Sequence, residues 1–242
     1  MGKDVIIACD FASEEELYGF LAPFEGLADK PYLKVGMELY YAAGPAIVRE
    51  LKARGYKVFL DLKMHDIPTT VGKAAKVLGA LGADIINVHA AGGAAMMRAS
   101  VEGAAAGAAE AGLPAPLVIA VTQLTSTDAD MLKNELLIET PLADVVAAYA
   151  KNAAAAGCAG VVCSAQEAAL IHEVCGDGFL TVCPGVRLAE AVAAGVVQDQ
   201  KRVMTPAAAK DAGADFIVVG RPITKAEHPV VTYIRVLSDF CG

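Results

Sequence analysis

A short apolar run rich in Val, Ile and Phe, ended by a polar residue and followed by an Ala-rich helical stretch that Gly closes, recurs eight times along the chain. The runs are Val5 to Asp10, Tyr32 to Gly36, Lys57 to Lys63, Asp84 to His89, Leu117 to Thr122, Gly160 to Ser164, Leu180 to Cys183 and Phe216 to Gly220. Near-continuous apolar strands suit a sheet covered on both faces, and strands that alternate with helices suit parallel pairing. Gly55, Gly82, Gly112, Gly157 and Gly213 stand where a helix must stop before the next strand. Eight βα units at a mean of about 30 residues predict a closed (β/α)8 TIM barrel, with an open doubly wound sheet as the alternative. Because no linker-like composition or charge block divides residues 1–242, one domain is expected. Two connections exceed plain βα turns: about 18 residues from Thr122 to a helix near Pro141, and about 21 from Cys183 to Thr205-Pro206. Both follow the carboxyl ends of strands, the face where barrel enzymes place their chemistry.

Charge narrows the range of partners. With 20 Lys+Arg against 28 Asp+Glu the net charge is −8, and no basic cluster or Trp suggests a nucleic-acid surface. The longest stretch without a charged residue, Ala111 to Thr127, is interrupted by Pro114, Pro116 and Gln123, so no segment offers the roughly 18 to 20 apolar residues of a membrane span. The apolar run Val5 to Cys9 is too short for a secretory signal, which predicts a cytoplasmic protein. Six cysteines (Cys9, Cys158, Cys163, Cys175, Cys183 and Cys241) form no C-x-x-C pair and are expected as buried reduced thiols.

The strand ends form a set. Asp10 ends the first, Lys34 lies in the second, Asp61-Leu62-Lys63 ends the third, and Asp66 follows three residues later. Side-chain alternation puts Asp61 and Lys63 on one side, and the inward side of a barrel mouth is shared with Asp10 and Lys34. Asp-x-Lys-x-x-Asp alone occurs often by chance as solvated salt bridges; repetition of charge at three consecutive strand ends favours a site. Pro68 suits the first turn of a helix, and Thr70, four residues after Asp66, is expected on the same helical face. Pro184-Gly185-Val186-Arg187 follows strand seven and Gly220-Arg221 closes strand eight. Barrels commonly build phosphate sites there, and Arg presents a planar fork of donors to phosphate oxygens. His65 and His89 lack metal-ligand spacing and are expected to serve structure, Met96-Met97 reads as packing, and Gly92-Gly93 as a tight turn.

Asp61-Leu62-Lys63-Met64-His65-Asp66-Ile67-Pro68-Thr69-Thr70 resembles the signature of the orotidine 5′-phosphate decarboxylase family in its bacterial form. The resemblance extends to Ala8-Cys9-Asp10-Phe11, Leu33-Lys34-Val35-Gly36, Val121-Thr122-Gln123-Leu124-Thr125-Ser126, Asp199-Gln200-Lys201-Arg202-Val203 and Val219-Gly220-Arg221-Pro222-Ile223-Thr224, with Pro222 standing where Ser is frequent. It implies conversion of orotidine 5′-phosphate to UMP without a cofactor or metal. By resemblance, Lys63 stabilises negative charge at C6 and donates the proton, Asp61 lies near the departing carboxylate, Lys34 and Asp66 complete the charged network, and Asp10 and Lys34 bind ribose hydroxyls. Arg187, Gly220 and Arg221 would hold the 5′-phosphate, Gln200 would bridge phosphate and base, and Thr125 would read the pyrimidine edge. A homodimer is implied, in which Asp66, Ile67 and Thr70 reach the neighbouring subunit's site. Two alternatives stay open at this point: a metal-dependent sugar-phosphate lyase, which would need a Glu where this chain has Lys34, and a nucleotide-binding module without chemistry.

Overall fold

The computed structural model of the chain describes residues 2–189 and 202–242. Eight parallel strands close on themselves: β1 (Asp4–Cys9), β2 (Tyr32–Gly36), β3 (Lys57–Met64), β4 (Ile85–His89), β5 (Leu117–Val121), β6 (Gly160–Val162), β7 (Leu180–Cys183) and β8 (Phe216–Val219). Pairing of β8 back onto β1, with Val5 against Ile217 and Ile7 against Val219, removes the open edges that a doubly wound sheet would keep. The barrel, and not the open sheet, is therefore the fold.

The helices are α1 (Glu14–Leu21), α2 (Met37–Ala43), α3 (Ala46–Ala53), α4 (Pro68–Gly79), α5 (Gly93–Glu110), α6 (Ala129–Asn134), α7 (Leu142–Ala155), α8 (Ala168–Cys175), α9 (Pro206–Asp211), α10 (Arg221–Thr224) and α11 (Pro229–Cys241). Their starts follow local chemistry. Ser13, Asp128 and Thr205 each accept a backbone N–H of the first turn, and Pro occupies the first turn of α4, α9, α10 and α11. No helix among the described residues is long and apolar enough to cross a membrane.

Strand parity divides the molecule into two cores. Inward positions Ile6, Ala8, Tyr32, Phe59, Ile85, Ile119, Val182, Phe216 and Val218 fill the barrel, and the alternate residues pack outward against the helices. Toward the carboxyl ends the same inward parity changes from apolar to polar. Lys34 follows Tyr32, Asp61 follows Phe59, and Asn87 follows Ile85. The floor is thus a packed plug and the mouth a polar layer resting on it.

Helices α4 and α5 cross backbone to backbone. A Cβ on Gly107 would stand 1.8 Å from the Lys76 carbonyl oxygen, so no larger residue fits there. This crossing fixes α4, and with it the 66–70 segment at its start.

Several local expectations need adjustment. The post-β5 connection is not a bare loop, because it contains α6; the later helix starts at Leu142 with Pro141 before it. Thr70 lies in α4 but Asp66 precedes the helix, so the four-residue helical spacing does not put them on one face. Cys9, Cys158, Cys163 and Cys183 are buried free thiols, whereas Cys175 is half-buried and Cys241 exposed. Burial pushes Cys9 and Cys158 up to about 12, which keeps both unreactive. Met96 and Met97 are buried in the outer core, and Gly93 turns the chain into α5 at φ 83°.

Candidate active site

A cavity of about 560 Å³ opens at the carboxyl ends of the strands. One wall carries Asp10, Lys34, Asp61 and Lys63; the other carries Arg187, Gly220 and Arg221, with Thr125 between them.

The charged wall is a line of alternating sign. Lys34 Nζ is 2.9 Å from Asp10 Oδ1 and 3.3 Å from Asp61 Oδ2, and Lys63 Nζ is 2.7 Å from Asp61 Oδ1. The side chains of Lys34 and Asp61 are 11% and 10% exposed, so their charges interact at low effective dielectric. Burial alone would push the Asp61 carboxyl up, but Lys34, Lys63 and the hydrogen bonds from Lys63 and Asn87 outweigh it and hold the group below the usual carboxylate range. Burial likewise disfavours the Lys34 ammonium, yet Asp61 and Asp10 raise it above its ordinary value. Both groups are therefore charged at neutral pH. Gly36 makes the arrangement possible, since a Cβ there would approach Asp10 Oδ1 at 3.0 Å and Lys34 Nζ at 3.1 Å.

Lys63 reaches Asp61 by a different route from simple alternation. The β3–β4 register shifts between Leu60 and Met64, and Lys63 takes φ 50°, one of two non-glycine residues with positive φ among those described. That turn lets the Lys63 ammonium meet Asp61 from the cavity side.

The opposite wall is built from loop geometry. Gly185, at φ 86°, turns the chain after β7; Met204 then donates to its carbonyl while Arg187 donates to the carbonyl of Met204, clasping the two ends of the post-β7 excursion. Arg187 Nη1 also bonds the Val186 carbonyl at 3.0 Å. Gly220 precedes α10, and its carbonyl accepts N–H groups of Ile223 and Thr224, so Arg221 starts a helical turn at the cavity rim. Backbone N–H groups at such a start and two guanidinium groups suit a phosphate dianion.

The structure thus brings together Asp10, Lys34, Asp61, Lys63, Thr125, Arg187, Gly220 and Arg221. It does not bring Asp66, Ile67 or Thr70 into the same chain's cavity. All three are exposed, and the Asp66 carboxylate accepts the Ile67 N–H at 2.6 Å. Gln200 lies outside the described residues. The His65 and His89 rings lie 5.7 Å apart between centroids at a 40° tilt, and burial, His65 and Lys63 together lower His89 below its ordinary value. No group of three or more His, Cys, Asp or Glu among the described residues is arranged to hold a metal ion.

Three participants escaped the sequence reading. Asn87 bonds both Asp61 and Lys63, and its inward parity on the fourth strand was the available signal. Glu167 closes a capping box with Ser164 and pairs with Arg202, which also donates to the Leu124 carbonyl at 3.0 Å. The Ser-x-x-Glu spacing was visible; the Arg202 partnership joins segments far apart in sequence.

The model of the orotidine 5′-phosphate decarboxylase / HUMPS family matches residues 3–236. The chain belongs to this family. It is 53% identical over 242 residues to the orotidine 5′-phosphate decarboxylase of Bacillus caldolyticus, covering all of this chain and 96% of that one. The enzyme of the same name from Bacillus cereus strain Q1 is 50% identical over the same length, with 99% of it covered. A crystal structure of orotidine 5′-phosphate decarboxylase from Lactobacillus acidophilus superposes with TM-score 0.84 at 41% identity, covering 99% of this chain and 100% of that one. Lys34, where the metal-dependent alternative would need a Glu, stands between Asp10 and Asp61.

Proposed function

We propose that the chain decarboxylates orotidine 5′-phosphate to UMP, with Lys63 as the group that stabilises and then protonates C6. The observation that carries this is the Asp10–Lys34–Asp61–Lys63 line facing, across one cavity, the Arg187, Gly220 and Arg221 wall. Phosphate held at the arginine wall directs the pyrimidine toward the charged wall, with Thr125 beside the base and Asp10 and Lys34 beside the ribose. The C6–carboxylate bond then breaks, its electron pair stays on C6, and CO2 leaves. The Lys63 ammonium faces the new carbanion and delivers a proton to C6, after which the amine is reprotonated from solvent.

Magnitudes decide between two explanations of the rate. Repulsion between the Asp61 carboxylate and a substrate carboxylate about 4 Å away contributes roughly 4 kcal/mol at an effective dielectric near 20. Highly proficient enzymes lower barriers by up to about 23 kcal/mol. Stabilisation of the transition state by a preplaced ammonium must dominate, aided by binding energy from the remote phosphate.

The working unit in this reading is a homodimer. Asp66, Ile67 and Thr70 lie outside their own cavity, and Ile67 is 65% exposed, which suits a segment that is covered by, and contributes to, a neighbouring subunit's site.

The test is loss of orotidine 5′-phosphate absorbance, with Lys63→Ala beside the wild-type chain. Turnover should vanish in the variant while UMP binding and the circular dichroism spectrum persist. Substantial residual turnover would remove Lys63 as proton donor, and an inactive wild-type chain would overturn the assignment.

A further inference from the structure

Between the pairs Leu60–Ile86 and Met64–Val88, three residues of β3 stand against a single residue of β4, and that residue is Asn87. Such a bulge leaves backbone groups without ladder partners. Asn87 supplies one: its Oδ1 accepts the Lys63 backbone N–H at 2.8 Å. Its Nδ2 donates to Asp61 Oδ1 at 2.7 Å, the same oxygen that receives Lys63 Nζ at 2.7 Å. The residue is 1% exposed and does not line the cavity.

We propose that Asn87 is a positioning residue for the decarboxylation, holding Lys63 in its left-handed turn with one end of the amide and Asp61 as an aligned carboxylate with the other. This rests on the functional reading above. A left-handed φ in a non-glycine residue is unfavourable and persists only where surrounding contacts over-determine it. The Lys63 N–H bond to Asn87 is such a contact, and it fixes the backbone from which the ammonium is aimed. Only a side chain with both a donor and an acceptor at this reach does both tasks. Asp keeps the acceptor for Lys63 but sets a second carboxylate against Asp61; Ala and Ser leave the Lys63 N–H without this partner.

Asp61 is faced by Lys34 from β2, by Lys63 from its own strand and by Asn87 from β4, with Asp10 beyond Lys34 and His89 farther along β4. In Asn87→Asp the introduced carboxylate is buried with the Lys63 N–H as its partner, whereas Asp61 keeps Lys34 and Lys63, so the proton that relieves their repulsion goes to the introduced group, which then donates to Asp61 as the amide did.

The experiment measures kcat and KM for orotidine 5′-phosphate, UMP affinity and thermal midpoint for the full-length wild type, Asn87→Asp and Asn87→Ser. Loss of a group that orients the working residues costs on the order of 10- to 100-fold in activity. That loss should fall on kcat, with KM and UMP affinity changed less than about threefold. For Asn87→Asp the ratio of variant to wild-type kcat should rise as pH falls from about 8 to about 5, because protonation of the introduced carboxyl restores the donor to Asp61. If Asn87→Asp does not fold, the kcat-against-KM split in Asn87→Ser decides. Wild-type kcat in a folded variant, or losses confined to KM or to thermal midpoint, overturns the positioning role alone; an inactive wild-type chain overturns the functional reading with it.

Discussion

Replacing Lys34 by Met removes the ammonium that joins Asp10 to Asp61 while keeping most of the side chain's volume. At 3.3 Å, with both side chains about nine-tenths buried, the Lys34–Asp61 attraction is about 5 kcal/mol at an effective dielectric near 20, before desolvation is subtracted. Removing one partner of a buried pair costs about 3 to 5 kcal/mol. Asp61 keeps Lys63 at 2.7 Å and the Asn87 amide, so the lower end applies, about 3 kcal/mol. Asp10, with its side chain 57% exposed, adds less than about 1 kcal/mol. For a chain of this length the expected loss corresponds to roughly 6 to 12 °C in thermal midpoint. The pH dependence is the sharper criterion. In the wild type the Asp61 carboxyl is held below its ordinary value, so its contribution is present at neutral pH and lost as pH falls through the folded-state value. In Lys34→Met the carboxyl rises, and protonation then relieves a buried charge that the variant tolerates poorly. Urea unfolding followed by circular dichroism should therefore show the stability difference largest near pH 7 and shrinking toward about pH 4. A difference that stays constant across that range, or that is under about 1 kcal/mol at pH 7, would refute the electrostatic reasoning.

Other expectations concern separate parts of the molecule. Arg221→Ala should weaken orotidine 5′-phosphate binding and spare a phosphate-free analogue; equal losses on both, in a comparison of kcat/KM, would give Arg221 another role. Gly107→Ala forces a methyl group into the Lys76 carbonyl, so α4 and α5 must separate at a cost of about 3 kcal/mol or more, read as a lowered urea midpoint. An unchanged midpoint would show that the crossing yields without strain. Ile67→Asp should leave the monomer fold intact and shift sedimentation toward monomer with loss of turnover; a fully active variant of unchanged mass would separate Ile67 from any subunit contact.

The sequence by itself determined the eight-strand rhythm and most of the charged residues at the mouth, and it favoured a barrel that only the pairing of β8 with β1 closed. It could do so because a strand covered on both faces must be continuously apolar until it reaches the rim, so the first inward charge marks the end of the plug: Lys34 after Tyr32, and Asp61 after Phe59. The motif spacing likewise carried the arginines of the opposite wall, since Arg187 and Arg221 each follow a glycine-bearing turn at a strand end.

Only the tertiary structure decided how these residues meet. Period-two alternation puts Asp61 and Lys63 on one side but contains no bulge; the register shift and the left-handed Lys63 arise because β4 offers one residue, Asn87, where β3 spends three. Helical spacing suggested that Asp66 and Thr70 share a face, yet α4 begins at Pro68, and both residues stand outside the cavity of their own chain. The link from Arg202 to Glu167 and Leu124 joins the connections that follow β5, β6 and β7. Such contacts depend on distances between segments that local pattern does not encode, because pattern records which face a residue takes and not which neighbour the closed barrel brings to it.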